Sequence, residues 1–153
     1  MNACVVDASV VIKWFLPEPY AEAAARLRRS DLELNAPELL LLEAANALWK
    51  HLLRGTLDRD IAQEAIEALG NAPIRWQGAP SLFADAFRIA AETRRSVYDC
   101  TYLALALQLG QPLVTADRRF YDAIQTGPFA SHLLWIENIP LPPIPPSATR
   151  SRS

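Results

Sequence analysis

Four acidic residues of the 153-residue chain lie in segments that are otherwise apolar: Asp7, Glu43, Asp99 and Asp117. Asp7 and Asp117 each follow a short apolar run, at residues 3–6 and 112–115. Glu43 and Asp99 lie inside the apolar stretches LLLLEAANAL and VYDCTYLALA. Acidic side chains are almost never fully buried unless they are paired. Their positions therefore suggest a functional site as well as a structural role.

Each acid taken singly also has a structural explanation. Asp99 and Asp117 stand where helices are predicted to begin, and an acid there caps the helix or favours its dipole; Asp7 could be a helix cap as well. Glu43 could emerge at the edge of its helix into water, although the leucines around it leave little room for a wet face. If Glu43 is buried it needs a partner, and Asn46 lies three residues further on the same helical face.

Together, four carboxylates in one crevice would repel one another strongly unless they surrounded a cation. A ligand set made only of oxygen atoms is the preference of Mg²⁺ or Mn²⁺ rather than of Zn²⁺. The remaining acids mostly occupy predicted helix surfaces. The sequence therefore predicts that the catalytic and metal-binding residues are Asp7, Glu43, Asp99 and Asp117.

The elements that would position these acids alternate between strands and helices. Strands are predicted at residues 3–6, 32–36, 73–76, 112–115 and 133–137. Helices are predicted at residues 17–29, 37–54, 56–69, 81–94, 96–109 and 118–124, with Thr56 and Ser96 as N-caps. This alternation is typical of an α/β fold whose parallel sheet is covered on both faces. The functional crevice of such a sheet lies at the carboxyl ends of the strands, where Asp7 and Asp117 are predicted.

Composition and spacing exclude several other classes of protein. The net charge of −2 provides no global field toward nucleic acid, so any contact with RNA must be local. The two cysteines and two histidines lack the spacing of a disulfide framework or a zinc-hydrolase motif. No apolar window reaches membrane-spanning length and no signal peptide is visible, so we expect a cytoplasmic location and no membrane partner.

Two phosphotransfer classes also begin with an acid at the end of a strand. A HAD-type phosphatase carries a second acid two residues later, whereas this chain has Ser9. A receiver domain requires an adjacent acid pair and a lysine after a late strand, and the only lysines are Lys13 and Lys50. Neither class fits the sequence.

Four segments carry a resemblance to a known family: VVDAS at residues 5–9, EAANAL at 43–48, YDCTYLALA at 98–106 and LVTADRRF at 113–120. In this order and spacing the chain resembles the PIN-domain ribonucleases and, among them, the VapC-like toxins of toxin–antitoxin pairs. The resemblance implies a three-layer α/β/α sandwich with a mainly parallel sheet and an acidic Mg²⁺ or Mn²⁺ site that hydrolyses RNA. It also implies that Asp7 and Asp99 are direct metal ligands, with Ser9, Asn46 and Thr115 supporting the site.

The partners follow from the same resemblance and from the sequence around the acids. The resemblance implies an RNA substrate, a VapB-like antitoxin that occupies the pocket, and a homodimer. We suggest Arg94, Arg95, Arg118 and Arg119 as phosphate contacts because they flank the acidic segments. The apolar residues Leu39, Leu42, Leu53, Leu57, Ile61 and Ile66 exceed what one core is expected to hold, which favours a shared interface.

Two points stay open at the level of sequence. A non-catalytic PIN-type protein that binds RNA or forms part of a repressor complex is the alternative to an enzyme. The domain is predicted to span residues 1–138, followed by a proline-rich tail at residues 139–153 that is expected to be disordered. The tail is longer than the family domain requires.

Overall fold

A parallel sheet of five strands forms the centre of the protein in a computed structural model that describes residues 1–140. The strands are β1 (Ala3–Val6), β2 (Glu33–Pro37), β3 (Ile74–Gln77), β4 (Leu113–Thr115) and β5 (Leu133–Trp135). They lie in the order β3-β2-β1-β4-β5, and every neighbouring pair is parallel. The predicted parallel α/β fold is confirmed.

The described helices are α1 (Ala8–Val11), α2 (Ala21–Arg28), α3 (Leu39–Leu53), α4 (Arg59–Gly70), α5 (Phe83–Thr93), α6 (Val97–Leu109) and α7 (Arg118–Gln125). Parallel neighbours require a crossover, and crossovers in one sheet are right-handed. That rule places α1 to α4 on one face of the sheet and α5 to α7 on the other. The observed contacts agree, because α3 packs on α1 and α4 while α6 packs on α5. The result is the expected three-layer sandwich.

Strand β1 and helix α6 lie deepest in the fold. Cys4, Val5 and Val6 of β1 have no exposed surface, and every residue of α6 from Cys100 to Ala106 is buried. A helix that is apolar on all sides must be covered on all sides. Asp7 follows β1 directly and Asp99 lies in the first turn of α6, so both acids are attached to the most buried elements of the core.

The structure corrects several predicted boundaries. Pro37 does not open α3 but ends β2, where it is paired with Gln77 of β3. Thr56 does not cap α4: Asp58 occupies the N-cap position, while the Thr56 hydroxyl bonds His51. The last strand is shorter than predicted, because a 3₁₀ turn begins at Ile136.

Helix α1 and the 3₁₀ turn Ile12–Trp14 were not predicted. The segment from Val10 to Ile12 is β-branched and apolar, a composition that favours strands over helices. It becomes helical because Asp7 caps its first turn and because it is buried between the sheet and α3. Tertiary packing thus decides a segment that local propensity does not.

The predicted tail begins within the described part of the chain and continues outside it. Ile139 is buried against the core, whereas residues 141–153 lie outside the described residues. Across residues 1–140, none of the helices has both the length and the apolar character needed to span a membrane.

Gly110 ends α6 in the left-handed region, with φ at +63°. A side chain disfavours this backbone conformation, so Gly110→Ala is expected to lower the free energy of unfolding by about 1 kcal/mol. Gly70, the last residue of α4, lies outside that region and has open space where a Cβ would be placed. Gly70→Ala is the matched control and should be neutral or stabilising in urea denaturation; an equal loss in both variants would contradict the conformational explanation.

Candidate active site

Asp7 lies at the point where the order of the sheet reverses. It follows β1, the central strand. The chain adds β2 and β3 on one side of β1, and later adds β4 and β5 on the other side. Open α/β sheets bind ligands at such a switch point, outside the carboxyl ends of the strands. Asp7 is also the N-cap of α1, since its side chain accepts a hydrogen bond from the Val10 N–H at 3.3 Å. Asp7 therefore caps α1 and also lies where a ligand is expected to bind.

Two hydroxyl groups each hold one oxygen of the Asp7 carboxylate. Ser9 Oγ donates to Oδ1 of Asp7, and Thr115 Oγ1 donates to Oδ2. The hydroxyls are themselves fixed by backbone N–H groups: Ala116 donates to Ser9 Oγ at 2.9 Å and Asp117 donates to Thr115 Oγ1 at 3.1 Å. This network ties the ends of β1 and β4 together. The structure thus brings Ser9 and Thr115 to the positions at which a supporting role was predicted.

Burial raises the pKa of Asp7 to about 6, from an ordinary value of 3.8. The hydrogen bonds from Ser9, Thr115 and Val10 oppose this shift in pKa, and the nearby charge of Asp117 adds to it. Only 7% of Asp7 is exposed, so water does little to stabilise its charge. At neutral pH the pocket therefore carries a poorly compensated negative charge.

Glu43 has the partner that its apolar helix required, but that partner is Tyr102. The Tyr102 hydroxyl donates to Glu43 Oε1 at 2.8 Å. Burial and the charge of Glu43 raise the pKa of Tyr102, so the phenol remains protonated and can donate. Burial also raises the pKa of Glu43, with a further contribution from Asp99. Asn46, by contrast, is exposed and does not line the pocket.

Tyr102 is the residue of this site that the sequence did not identify. A signal was available, because Tyr102 lies three residues after Asp99 and therefore shares its helical face. It is buried on α6 and reaches Glu43 on α3, across the carboxyl edge of the sheet. Only the fold shows that these two helices meet.

Asp99 is not the cap of its helix, since Ser96 has that role. Ser96 Oγ accepts the Asp99 N–H at 3.0 Å, as the S-x-x-D pattern predicted. The Asp99 carboxylate is instead paired with Arg95, whose Nη2 lies 3.2 Å from Oδ2. Asp117 does cap α7, because its Oδ1 accepts the Phe120 N–H at 3.1 Å.

All four predicted acids line one small pocket of about 60 Å³ together with Ser9, Tyr102, Phe120 and Ala8. The acidic quartet is thus assembled in space from four separate elements. Within residues 1–140, however, no three His, Cys, Asp or Glu side chains form a ready metal-binding group. In this arrangement Asp99 is paired with Arg95, and one oxygen of Asp117 caps α7.

The four suggested arginines occupy different environments. Arg95 pairs with Asp99, whereas Arg118 stacks on Trp135 with its guanidinium carbon 3.8 Å from the ring centroid. Arg94 ends α5 in the left-handed conformation and is exposed, as is Arg119 in the first turn of α7. All four lie next to acid-bearing segments in the sequence, and Arg95 contacts a residue of the pocket directly.

An acidic pocket at the switch point of a parallel α/β/α sandwich defines a nuclease of the PIN-domain class. Residues 4–124 match the PIN domain family, and the chain belongs to that family. Within it, the chain groups with the VapC ribonucleases: Ribonuclease VapC3 of Pyrobaculum aerophilum is 37% identical over 120 residues, which cover 77% of this chain and 92% of that protein.

Solved structures show the same fold. The crystal structure of PAE2754 from Pyrobaculum aerophilum has a TM-score of 0.65 and 26% identity, covering 90% of this chain and 85% of that one. A toxin–antitoxin complex from Klebsiella pneumoniae contains a chain with a TM-score of 0.62 and 15% identity, covering 86% of this chain and 95% of that one.

The raised pKa of Asp7 predicts a stability change that can be measured without any substrate. A folded-state pKa of about 6 against an ordinary 3.8 means that the stabilising contribution is present below pH 3.8 and is lost as the pH rises through 6. Asp7→Asn removes the buried charge, so it should raise the free energy of unfolding by roughly 1–3 kcal/mol at pH 7.5 in EDTA. At pH 4.5 this advantage should shrink.

Thermal melts of the wild type and Asp7→Asn at the two pH values provide the measurement. Asp31→Asn serves as the control, because Asp31 is exposed. If Asp7→Asn melts below the wild type at pH 7.5, the Asp7 charge is not the unfavourable element described above.

Proposed function

We propose that this chain is the endoribonuclease toxin of a toxin–antitoxin pair and hydrolyses RNA phosphodiester bonds at the acidic pocket. The convergence of Asp7, Glu43, Asp99 and Asp117 on that pocket supports the proposal most strongly. It occurs in a chain that belongs with the VapC ribonucleases. A non-catalytic PIN-type RNA-binding protein would not need a complete acidic quartet, and this chain has one.

The donor set of the pocket fits Mg²⁺ or Mn²⁺. Its ligands are carboxylate oxygens, which these hard cations prefer. Burial raises the pKa of Asp7 and of Glu43, and the neighbouring acids Asp117 and Asp99 add to it; a bound cation would stabilise the charged form of both carboxylates. Asp7 and Asp99 would hold the cation directly, with Glu43 and Asp117 completing the site. When bound, such a cation supplies Lewis-acid activation of the phosphate and of a water nucleophile.

The contacts within the chain assign the remaining tasks. Ser9 and Thr115 orient Asp7, since each hydroxyl holds a different carboxylate oxygen. Tyr102 orients Glu43 in the same way, through one hydrogen bond of 2.8 Å. Preorganised side chains of this kind lower the barrier because they need not rearrange during the reaction.

The arginines beside the pocket are proposed to bind the RNA backbone. Arg94, Arg95, Arg118 and Arg119 each carry a guanidinium group, which matches phosphate oxygens through two parallel hydrogen bonds. Because the whole chain has a net charge of −2, this local cluster has to provide the attraction. An RNA substrate and the free, buried thiols of Cys4 and Cys100 agree with action in the cytoplasm.

The proposed partner is a VapB-like antitoxin. The structural neighbour from Klebsiella pneumoniae is described as a toxin–antitoxin complex, and its toxin-like chain shares this fold. An antitoxin segment that carried basic side chains would complement the pocket, because all four ionisable acids there face the same small space. Occupying that space would exclude both RNA and the cation.

The function is tested by RNA cleavage with and without the predicted ligands. The purified protein should cleave RNA with Mg²⁺ or Mn²⁺ and lose cleavage in EDTA. Asp7→Asn and Asp99→Asn should each reduce the rate by at least about 100-fold, because each loss of 1.36 kcal/mol in transition-state stabilisation costs tenfold. The exposed Asp31→Asn serves as the matched control and should cleave like the wild type.

Two outcomes would contradict the enzyme. Cleavage that persists in EDTA would exclude a metal-dependent mechanism. RNA binding of wild-type strength without cleavage under every divalent cation would favour the non-catalytic alternative.

We further propose that the chain is a homodimer joined through α3 and α4. Leu42 and Leu53 of α3 are 72% and 66% exposed, and Trp49 lies on the same stripe. Ile61 and Ile66 of α4 are exposed as well. Leu39 and Leu57 pack against the core, so only part of the predicted apolar surplus remains uncovered. An apolar surface of this kind is typical of an interface, and a second copy would cover it symmetrically.

Charge placed on this face should separate the subunits. Leu53→Glu together with Trp49→Arg should convert a dimer into a monomer in size-exclusion chromatography with light scattering at micromolar concentration. Leu109→Lys is the control, because Leu109 is an exposed residue at the far end of α6. A wild-type monomer, or a dimer that survives both changes, would overturn the proposed interface.

A further inference from the structure

Arg95 lies between two segments that carry acids of the pocket. Its Nη2 lies 3.2 Å from Asp99 Oδ2, and its guanidinium carbon lies 5.8 Å from the ring centroid of Phe120. Phe120 lines the pocket and is held by the cap that Asp117 forms. The guanidinium therefore sits at the side of the acidic pocket, in contact with residues of both α6 and α7.

The hydrogen bonding of the Arg95 side chain is incomplete. Its Nε atom is buried and, among the described residues, it is the one buried side-chain nitrogen or oxygen without a hydrogen-bond partner. A buried donor that lacks a partner is unfavourable, because it has lost its hydrogen bonds to water. The ion pair itself is partly exposed, with side-chain exposures of 30% for Arg95 and 32% for Asp99, and such pairs contribute little. The contacts of Arg95 therefore stabilise its observed position only weakly.

Asp99 differs from the other acids of the pocket in the kind of partner that it has. Asp7 is held by hydroxyls, Glu43 by a phenol and Asp117 by a backbone N–H. Within residues 1–140, Asp99 is the member of the quartet that forms an ion pair with a cationic side chain. The same carboxylate is proposed above as a direct metal ligand, so a cation and Arg95 would compete for it.

We propose that Arg95 is an exchangeable counter-ion of Asp99, and that Asp99 leaves it in order to ligate the divalent cation. Arg95 then acts as a positioning residue: it pairs with Asp99 in the metal-free pocket and weakens metal binding by competing for that carboxylate. Once released, its guanidinium lies beside the pocket and is available to a phosphate. This inference rests on the proposed metal-dependent function and adds a coupling between metal binding and the basic edge of the site.

Calorimetric titration of Mn²⁺ into the metal-free protein tests the competition without RNA or activity. Arg95→Gln should bind Mn²⁺ roughly two- to fivefold more tightly than the wild type, the range expected for one partly exposed ion pair. Arg95→Lys keeps the charge and should bind like the wild type. Arg29→Gln removes an equal charge from an exposed position after α2 and should also leave the affinity unchanged.

A double-mutant cycle separates competition from general repulsion of the cation. In the Asp99→Asn background there is no carboxylate to release, so Arg95→Gln should give no further gain in affinity. An equal gain in both backgrounds would overturn the proposal, because Arg95 would then act by its charge alone. Thermal melts of each variant confirm folding before titration.

The remaining outcomes distinguish this proposal from the proposed function. Equal Mn²⁺ affinity in the wild type and Arg95→Gln would overturn the proposed competition between Arg95 and the cation for Asp99. It would not affect the proposed nuclease function. Absence of Mn²⁺ binding in every variant overturns both the exchange and the metal site.

Discussion

Like-charged carboxylates repel one another, and the pocket at the end of β1 and β4 holds four of them. Each of the four acids is stabilised by a different kind of partner. Hydroxyls of Ser9 and Thr115 hold Asp7, the phenol of Tyr102 holds Glu43, Arg95 pairs with Asp99, and the first turn of α7 engages Asp117. None of these contacts removes the negative charge of the group as a whole. The pocket therefore keeps a net negative charge, on which the proposed cation site depends.

The same constraint explains why the acids stand on the most buried elements. Strand β1 and the middle of helix α6 have little exposed surface, and Asp7 and Asp99 lie next to these packed segments. Repelling groups on mobile loops would separate, whereas packed elements hold them together at the expense of some stability. The raised pKa of Asp7 reflects that unfavourable placement directly.

The sequence predicted the alternation of elements well, because each strand is a short apolar run and most helices have clear start and stop residues. It failed where local preference and packing disagree. The β-branched segment after Asp7 forms a helix, and Thr56 bonds His51 instead of capping α4. Asn46 seemed the natural neighbour of Glu43 along one helix, yet the partner comes from another helix altogether.

By itself the sequence determined the α/β class, and it predicted the four acids and an all-oxygen ligand set of the kind that Mg²⁺ or Mn²⁺ prefers, since these depend on residue types and on patterns along the chain. Only the tertiary structure decided which groups surround each acid. Tyr102 reaches Glu43 across 59 positions of sequence, and Thr115 reaches Asp7 across 108. Arg95 is near Asp99 in sequence, but its contact with Phe120 and its unpartnered Nε exist only in the fold. Side-chain direction and burial arise from the packing of distant segments, which no local pattern encodes.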